Sequence, residues 1–326
     1  MIPSAPDEEA RCSFEPIFSN PHVLTILANY WPRRFDFSGF RVDRRLVQTE
    51  PDVQVLIESQ YPAGDSRGDL VLLHGLEGSG ESGYMVSMSH AAVRAGFTGH
   101  CFHMRTCGGT EALCPTLYHA GLTSDLISFL GQLRGQAKPF LIGFSLGGNV
   151  ALKAAAELGQ AVAGVCTVSA AIDLAASARR LEDPENRLYQ SRFVARMKAR
   201  LERTGRYVRS DFAGCRTVYE IDDQITAPSF GFATADQYYE TQSALRFVST
   251  ISVPVLMIAA QDDPLIPYSS YLDPAVRNNP HIQVIAPRHG GHLGFLSRRT
   301  PRFWSDETVL NWLRSKATGW RRAQAC

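Results

Sequence analysis

Residues 140–152 read Phe140-Leu141-Ile142-Gly143-Phe144-Ser145-Leu146-Gly147-Gly148-Asn149-Val150-Ala151-Leu152. The apolar run from Phe140 to Ile142 has the composition of a buried strand. It ends in Gly143-Phe144-Ser145-Leu146-Gly147, and small residues at helical spacing follow without a break. This is G-x-S-x-G in a strand–turn–helix setting, where the pattern has mechanical meaning. A sharp turn there lifts the Ser145 hydroxyl above the sheet edge. Gly143 and Gly147 flank it because a Cβ at either would meet neighbouring backbone. The helix starting at Leu146 aims its free N–H groups and positive dipole end at the same spot. A serine held this way is set up as a nucleophile. A Gly-rich structural turn with an incidental serine fits the same five residues, so the surroundings decide.

Upstream, Leu70 to Leu73 is another continuous apolar run, as in central parallel strands. A Gly/Ser-rich loop, His74 to Ser82, follows it. Gly83 to Ala95 is helical in pattern, with Tyr84, Met85, Met88, Ala92 and Val93 on one face. Phe97 to Met104 is the next strand. Thr123 to Gln136 is a helix, capped at Thr123 or Ser124. The helix after Ser145 ends near Gly159, and Ala163 to Val168 is a buried strand. Residues 41–49 and 53–61 form a hairpin in front of this series. Strand and helix alternate, which predicts a mostly parallel central sheet with helices on both faces.

The alternation then lapses for roughly 80 residues, far more than a connection needs. Residues 171–252 are mostly helical and are expected to form a cap inserted after the strand Ala163 to Val168, the sixth of the sheet, over its C-terminal edge. Tyr189, Phe193, Met197 and Leu201 recur every four residues, with Val194 beside them. Arg187, Arg192, Arg196, Lys198, Arg200, Arg203 and Arg206 read as a solvated basic face, with docking of an anionic substrate or membrane as the sharper alternative. Val253 to Ala260 resumes the sheet, Ile282 to Ala286 is the last strand, and Trp304 to Lys316 closes the fold. The expected domains are an irregular, aromatic-rich N-terminal arm (1–40), a core (41–170 and 253–319), the helical cap (171–252) and a loose tail (320–326).

Of 326 residues, 44% are hydrophobic and 20% charged, an ordinary globular balance. A formal net charge of +1 gives no reason to expect a nucleic-acid partner. No run reaches membrane-spanning length, and Met1 to Ser13 lacks the apolar core of a signal peptide. Seven scattered cysteines read as free thiols in a reducing compartment, so a cytoplasmic location is expected. No His or Cys spacing suggests a metal, and no phosphate loop or dinucleotide fingerprint appears, so no cofactor is expected.

A serine needs a base, and the base needs a third group to hold its tautomer. In a doubly wound sheet these come from loops at the C-terminal strand ends. Gln261-Asp262-Asp263-Pro264-Leu265-Ile266-Pro267 follows one such strand. Asp263 is favoured, four residues before Pro267, with Asp262 free to cap the turn. His289-Gly290-Gly291-His292 follows the last strand. His292 is favoured over His289 because the Gly-Gly step suits delivery of the later histidine. The order Ser, Asp, His is that of the α/β-hydrolases. The oxyanion donors would be the backbone N–H groups of Leu146 and Leu76. His74 reads as a loop-ordering residue, and His90, His100, His103 and His119 as packing or surface residues. Cys107 has no histidine pairing to make it a nucleophile.

With these residues in hand, the chain resembles the YheT-like branch of the α/β-hydrolase superfamily, related to the ABHD1/ABHD3-type hydrolases. The resemblance covers nearly the whole chain. It rests on Asn20-Pro21-His22, His74 to Ser79, Arg105 with Cys107-Gly108-Gly109, Leu117-Tyr118-His119 with Gly121, Gly143 to Asn149, Asp222-Asp223, Gly231-Phe232, Tyr238-Tyr239 and Ala260 to Pro264. It implies an α/β-hydrolase fold and a Ser145, Asp263, His292 triad. It also implies a serine hydrolase of small-molecule acyl esters, some relatives acting on phospholipids. Short- to medium-chain carboxylic esters are the expected substrates. A lipid acyl hydrolase or acyltransferase is the alternative of the same chemistry, and a non-catalytic binder of apolar ligands the alternative of another class. Phe144, Phe230, Phe232, Tyr238 and Tyr239 are candidates for the substrate pocket, or for fastening the cap to the body.

Overall fold

The computed structural model describes residues 14–33, 35–133 and 137–324, with residues 317–324 as backbone only. Parts of the expected arm (1–13 and 34), helix end (134–136) and tail (325–326) lie outside the described residues. Among those described, eight strands form one sheet: β1 (Arg41–Glu50), β2 (Val53–Tyr61), β3 (Asp69–Leu73), β4 (Thr98–Phe102), β5 (Phe140–Phe144), β6 (Gly164–Val168), β7 (Val255–Ile258) and β8 (Ile282–Ile285), in the order β1-β2-β4-β3-β5-β6-β7-β8. The β1–β2 hairpin joins β4 antiparallel, and every pairing from β4 to β8 is parallel.

Side chains alternate between the two faces of each strand. Leu70, Leu72, Phe140, Ile142 and Phe144 share one core with Met85 and Met88 of α2 (Gly83–Arg94) and Leu310 and Leu313 of α9 (Trp304–Gln324). Val71, Leu73 and Leu141 face the other way, toward Leu126 and Phe129 of α3 (Ser124–Gln132) and Val150 and Ala154 of α4 (Leu146–Leu158). Helices on both faces thus leave the C-terminal ends of the parallel strands as the open edge.

Two expectations need correction. The arm is not irregular throughout: Pro21–Tyr30 is a helix, α1. Asn20 caps it by accepting the Val23 N–H at 3.0 Å, and Pro21 opens it. The Asn-Pro step that punctuates the sequence is therefore a helix start. At the other end α9 runs to Gln324 instead of giving way to a tail at Trp320, since no proline follows Trp304 to stop it.

Between β6 and β7 lie α5 (Leu174–Leu181), α6 (Arg187–Arg203), α7 (Val218–Ile221) and α8 (Ala235–Gln242). Asp173, Thr217 and Thr234 cap α5, α7 and α8 with side-chain bonds to backbone N–H groups. α7 passes into a π-helical turn, Asp222–Thr226, a distortion that costs hydrogen-bond regularity and often accompanies a site. Asn149, fully buried on α4, fastens this segment to the core. Its amide donates to the Ala120 and Gln242 carbonyls, both at 2.9 Å, and accepts the Ala244 N–H at 2.6 Å. On α6 the expected stripe packs inward at Val194, Met197 and Leu201, but Arg200 is buried with them. The basic residues are therefore not one solvated face.

Candidate active site

Ser145 sits between β5 and α4 with φ 53° and ψ −120°, a left-handed conformation held against the preference of any residue with a Cβ. Backbone bonds hold it: its N–H donates to Val168 O at 3.0 Å, and its carbonyl accepts from Gly148 at 2.9 Å and Ala171 at 3.2 Å. A Cβ on Gly143 would strike the Gly147 carbonyl, and one on Gly147 would strike Leu73 O. The turn can be this tight only with glycine at both places.

His292 Nε2 lies 3.0 Å from Ser145 Oγ. On the other side of the ring, Nδ1 is 3.0 and 3.2 Å from the two Asp263 oxygens. A carboxylate accepts, so Nδ1 carries the proton and Nε2 is left to accept from the serine hydroxyl. Asp263 Oδ1 also accepts the Leu265 and Ile266 N–H groups at 2.9 and 3.1 Å. It makes the turn bonds that the sequence reading reserved for Asp262. Asp263 and His292 are both 8% exposed. The His292 N–H donates to Thr25 Oγ1 on α1 at 2.8 Å. The arm thus positions the histidine, a role with no local signature in the sequence.

The competing pair is also formed. His289 Nδ1 meets Asp262 Oδ2 at 3.0 Å, and Asp262 Oδ1 accepts the Gly291 N–H at 3.0 Å. Asp262 therefore steadies the loop that carries His292.

The loop after β3 lies against the serine. A Cβ on Gly75 would come within 3.1 Å of Ser145 Cβ. His74, fully buried, accepts the Met104 N–H at Nε2 and faces Gly75 O at 2.8 Å through Nδ1. Burial lowers its pKa to about 3, so it is neutral and loop-ordering, as read from sequence. Leu76 follows, and Glu77 takes φ 54°. Helix α6 grips this residue. Arg200 Nε donates to Glu77 Oε1 at 2.8 Å, Arg196 donates to the Glu77 carbonyl, and the Glu77 N–H donates to Tyr118 Oη at 3.0 Å. Burial works against the Arg200 charge, but Glu77 overrides it and raises its pKa. This clamp escaped the sequence reading, because 123 residues separate the pair.

Two spaces meet at Ser145, His292 and Leu76. The inner one, about 80 Å³, is closed in by Leu146, Leu174, Leu181, Met197, Tyr238 and Tyr239. Asp222 reaches it from the π-helical turn. Burial raises the Asp222 pKa to about 6, against the pull of the Tyr239 hydroxyl at 2.7 Å. The outer one is a cleft of about 440 Å³ between α1 and α6. Of the five candidate pocket residues, Tyr238 and Tyr239 line the inner cavity. Phe230 and Phe232 instead pack on His119, with ring centroids 4.4 and 5.8 Å away. Phe144 belongs to the opposite core, against Tyr84 at 4.8 Å, because it shares strand parity with Phe140 and Ile142. Cys107 is buried, which pushes its thiol pKa up and keeps it protonated.

Residues 70–298 match the family described as alpha/beta hydrolase fold. Over 324 residues the chain is 32% identical to YheT of Escherichia coli, a protein provisionally named an esterase, with 95% of this chain and 93% of that one covered. It is 26% identical to monoacylglycerol lipase of Saccharomyces cerevisiae, over 85% of this chain and 64% of that protein. It is also 26% identical to phospholipase ABHD3 of Mus musculus, over 74% and 62%. The esterase Pf2001 of Pyrococcus furiosus superposes with a TM-score of 0.58 at 16% identity, over 87% of this chain and 98% of that one, a likeness of fold alone. Among the described residues no helix is long and apolar enough to cross a membrane.

Proposed function

The chain belongs to the alpha/beta hydrolase fold family, in its YheT-like branch, and on that premise we propose that it is a serine hydrolase of carboxylic esters. The observation that carries this reading is the continuous chain from Ser145 Oγ through His292 to Asp263, at the junction of the two spaces. In the proposed reaction Ser145 Oγ bonds to the ester carbonyl carbon while His292 Nε2 takes its proton. Asp263 holds the ring and stabilises the imidazolium. The Leu76 and Leu146 N–H groups receive the developing oxyanion, the latter from the first turn of α4. The bond from carbon to the alcohol oxygen breaks, and His292 returns the proton to that oxygen. Water then repeats the sequence and frees the acid.

The relatives named esterase, lipase and phospholipase agree with hydrolysis of an acyl ester. The small inner cavity suits a short to medium acyl chain, and the wider cleft suits the alcohol half. In this reading residues 171–252 are a cap that supplies most of the inner wall, residues 41–170 and 253–319 are the core that holds the triad, and the arm braces His292.

The test is labelling by a fluorophosphonate together with hydrolysis of a p-nitrophenyl ester series. The wild type is expected to form a stoichiometric adduct on Ser145 and to favour acyl chains in the short to medium range. Ser145→Ala should form none and lose about 10⁴-fold or more in kcat. Equal turnover by both proteins would overturn the reading.

A further inference from the structure

The outer cleft is bordered by Arg33, Arg192 and Arg196 and, among the described residues, by no aspartate or glutamate. Further along α6, Arg200 pairs with Glu77 and Arg203 with Glu111. Around the cleft, Arg192 donates to the Tyr30 hydroxyl at 2.6 Å and Arg196 to the Glu77 carbonyl, both neutral acceptors. Arg33 donates to the Ala28 carbonyl at 2.6 Å and lies over the Phe303 ring at 4.9 Å. Its Nε is buried without a hydrogen-bond partner among the described residues. The Asp306 carboxylate acts on Arg33 from outside the cleft, but it is bonded to the Ser87 hydroxyl. Three guanidinium groups of one sign around a recess raise its potential and draw an anion into it. Their planar forks suit phosphate and carboxylate oxygens.

The inner cavity has no such excess of positive charge. Its wall is mostly apolar, the Arg200 that lines it is paired with Glu77, and the Asp222 carboxyl lines the same space, which gives an anionic acyl group no free cation to meet among the described residues. The charge asymmetry between the two spaces therefore assigns the ends of the substrate.

We propose that the alcohol half of the ester carries an anionic group, a phosphate or a carboxylate, bound by Arg33, Arg192 and Arg196 while the carbonyl sits at Ser145. This rests on the hydrolase reading and adds the substrate class to it. The three arginines then act as specificity-determining residues.

The experiment compares kcat/KM for three esters with one acetyl group: of glycerol, of glycerol 3-phosphate and of lactate. The wild type should favour at least one anionic ester over the neutral one by about tenfold at low salt, and added salt should shrink that ratio. Arg192→Glu, at an exposed position, should cut the ratio about tenfold, and Arg33→Gln should cut it too. A wild-type ratio at or below one, or a ratio unmoved by Arg192→Glu, overturns the proposal. If the neutral ester is not turned over and no fluorophosphonate adduct forms, the hydrolase reading itself has failed. A further arm offers the phosphate on a medium-chain phosphatidate in neutral vesicles, an acyl length the inner cavity admits. Turnover there as well as in solution identifies a lipid headgroup, and turnover of the soluble ester alone identifies a soluble phosphate ester.

Discussion

Two adjacent aspartates and two histidines three residues apart make two Asp–His contacts of the same length. Asp263–His292 and Asp262–His289 both close at 3.0 Å. They differ in what lies beyond the imidazole. His292 is nearly enclosed and turns its second nitrogen to Ser145, whereas the His289 side chain is 37% exposed and, among the described residues, bonds to no serine. The carboxylates differ as well: Asp263 takes two N–H groups of its own turn, and Asp262 takes one from the histidine loop. An Asp–His contact by itself is therefore no mark of a site. Enclosure and a serine hydroxyl at the far nitrogen are what separate the two pairs.

Asp263→Asn should break the first pair with the largest effect. An amide cannot fix the Nδ1–H tautomer in the same way, and kcat on an aryl ester should fall about 10⁴-fold. Asp222 extends the contrast to a carboxyl with no imidazole at all. Its folded pKa, about 6, lies above the unfolded value. The folded state therefore binds more protons between about pH 4 and 6, and ionising the group removes stability as pH rises through that window. Asp222→Asn escapes that loss. Its unfolding free energy in urea should rise relative to wild type by roughly 2–3 kcal/mol between pH 4 and pH 7. A constant difference would show that the carboxyl is not held in its neutral form. Asp262→Asn should cost a few-fold in kcat and about 1 kcal/mol of stability, through the weakened hold on Gly291. His289→Ala should change kcat by about twofold or less. Equal losses from Asp262→Asn and Asp263→Asn would erase the distinction between the pairs.

The strands are legible as apolar runs, and Ser145, Asp263 and His292 stand out as the proposed triad because each lies in the loop after one of those runs. The fold and the YheT-like resemblance rest on such local patterns, and the family match agrees with both. Phe144, next to Ser145 in sequence, turns away from the pocket because strand alternation gives it the parity of Phe140 and Ile142. Helix α1 was missed because ten residues with only Leu24, Thr25 and Ala28 buried present a faint periodicity. Arg200 reads locally as a surface charge, since its partner Glu77 belongs to a distant loop and no local rule pairs residues across such a span.

Helix α6 bears on two surfaces at once. Met197 faces the inner cavity and Arg192 the outer cleft, while Arg196 holds the carbonyl and Arg200 the carboxylate of Glu77, the residue after Leu76. Residues that could retune substrate preference thus alternate, within three turns, with residues that keep the reaction centre assembled. The helix cannot be exchanged as a free module. A graft from a relative would have to bring a matching Glu77 and Tyr118 with it, so specificity in this fold is constrained to drift by single side chains along α6 and not by replacement of the whole segment.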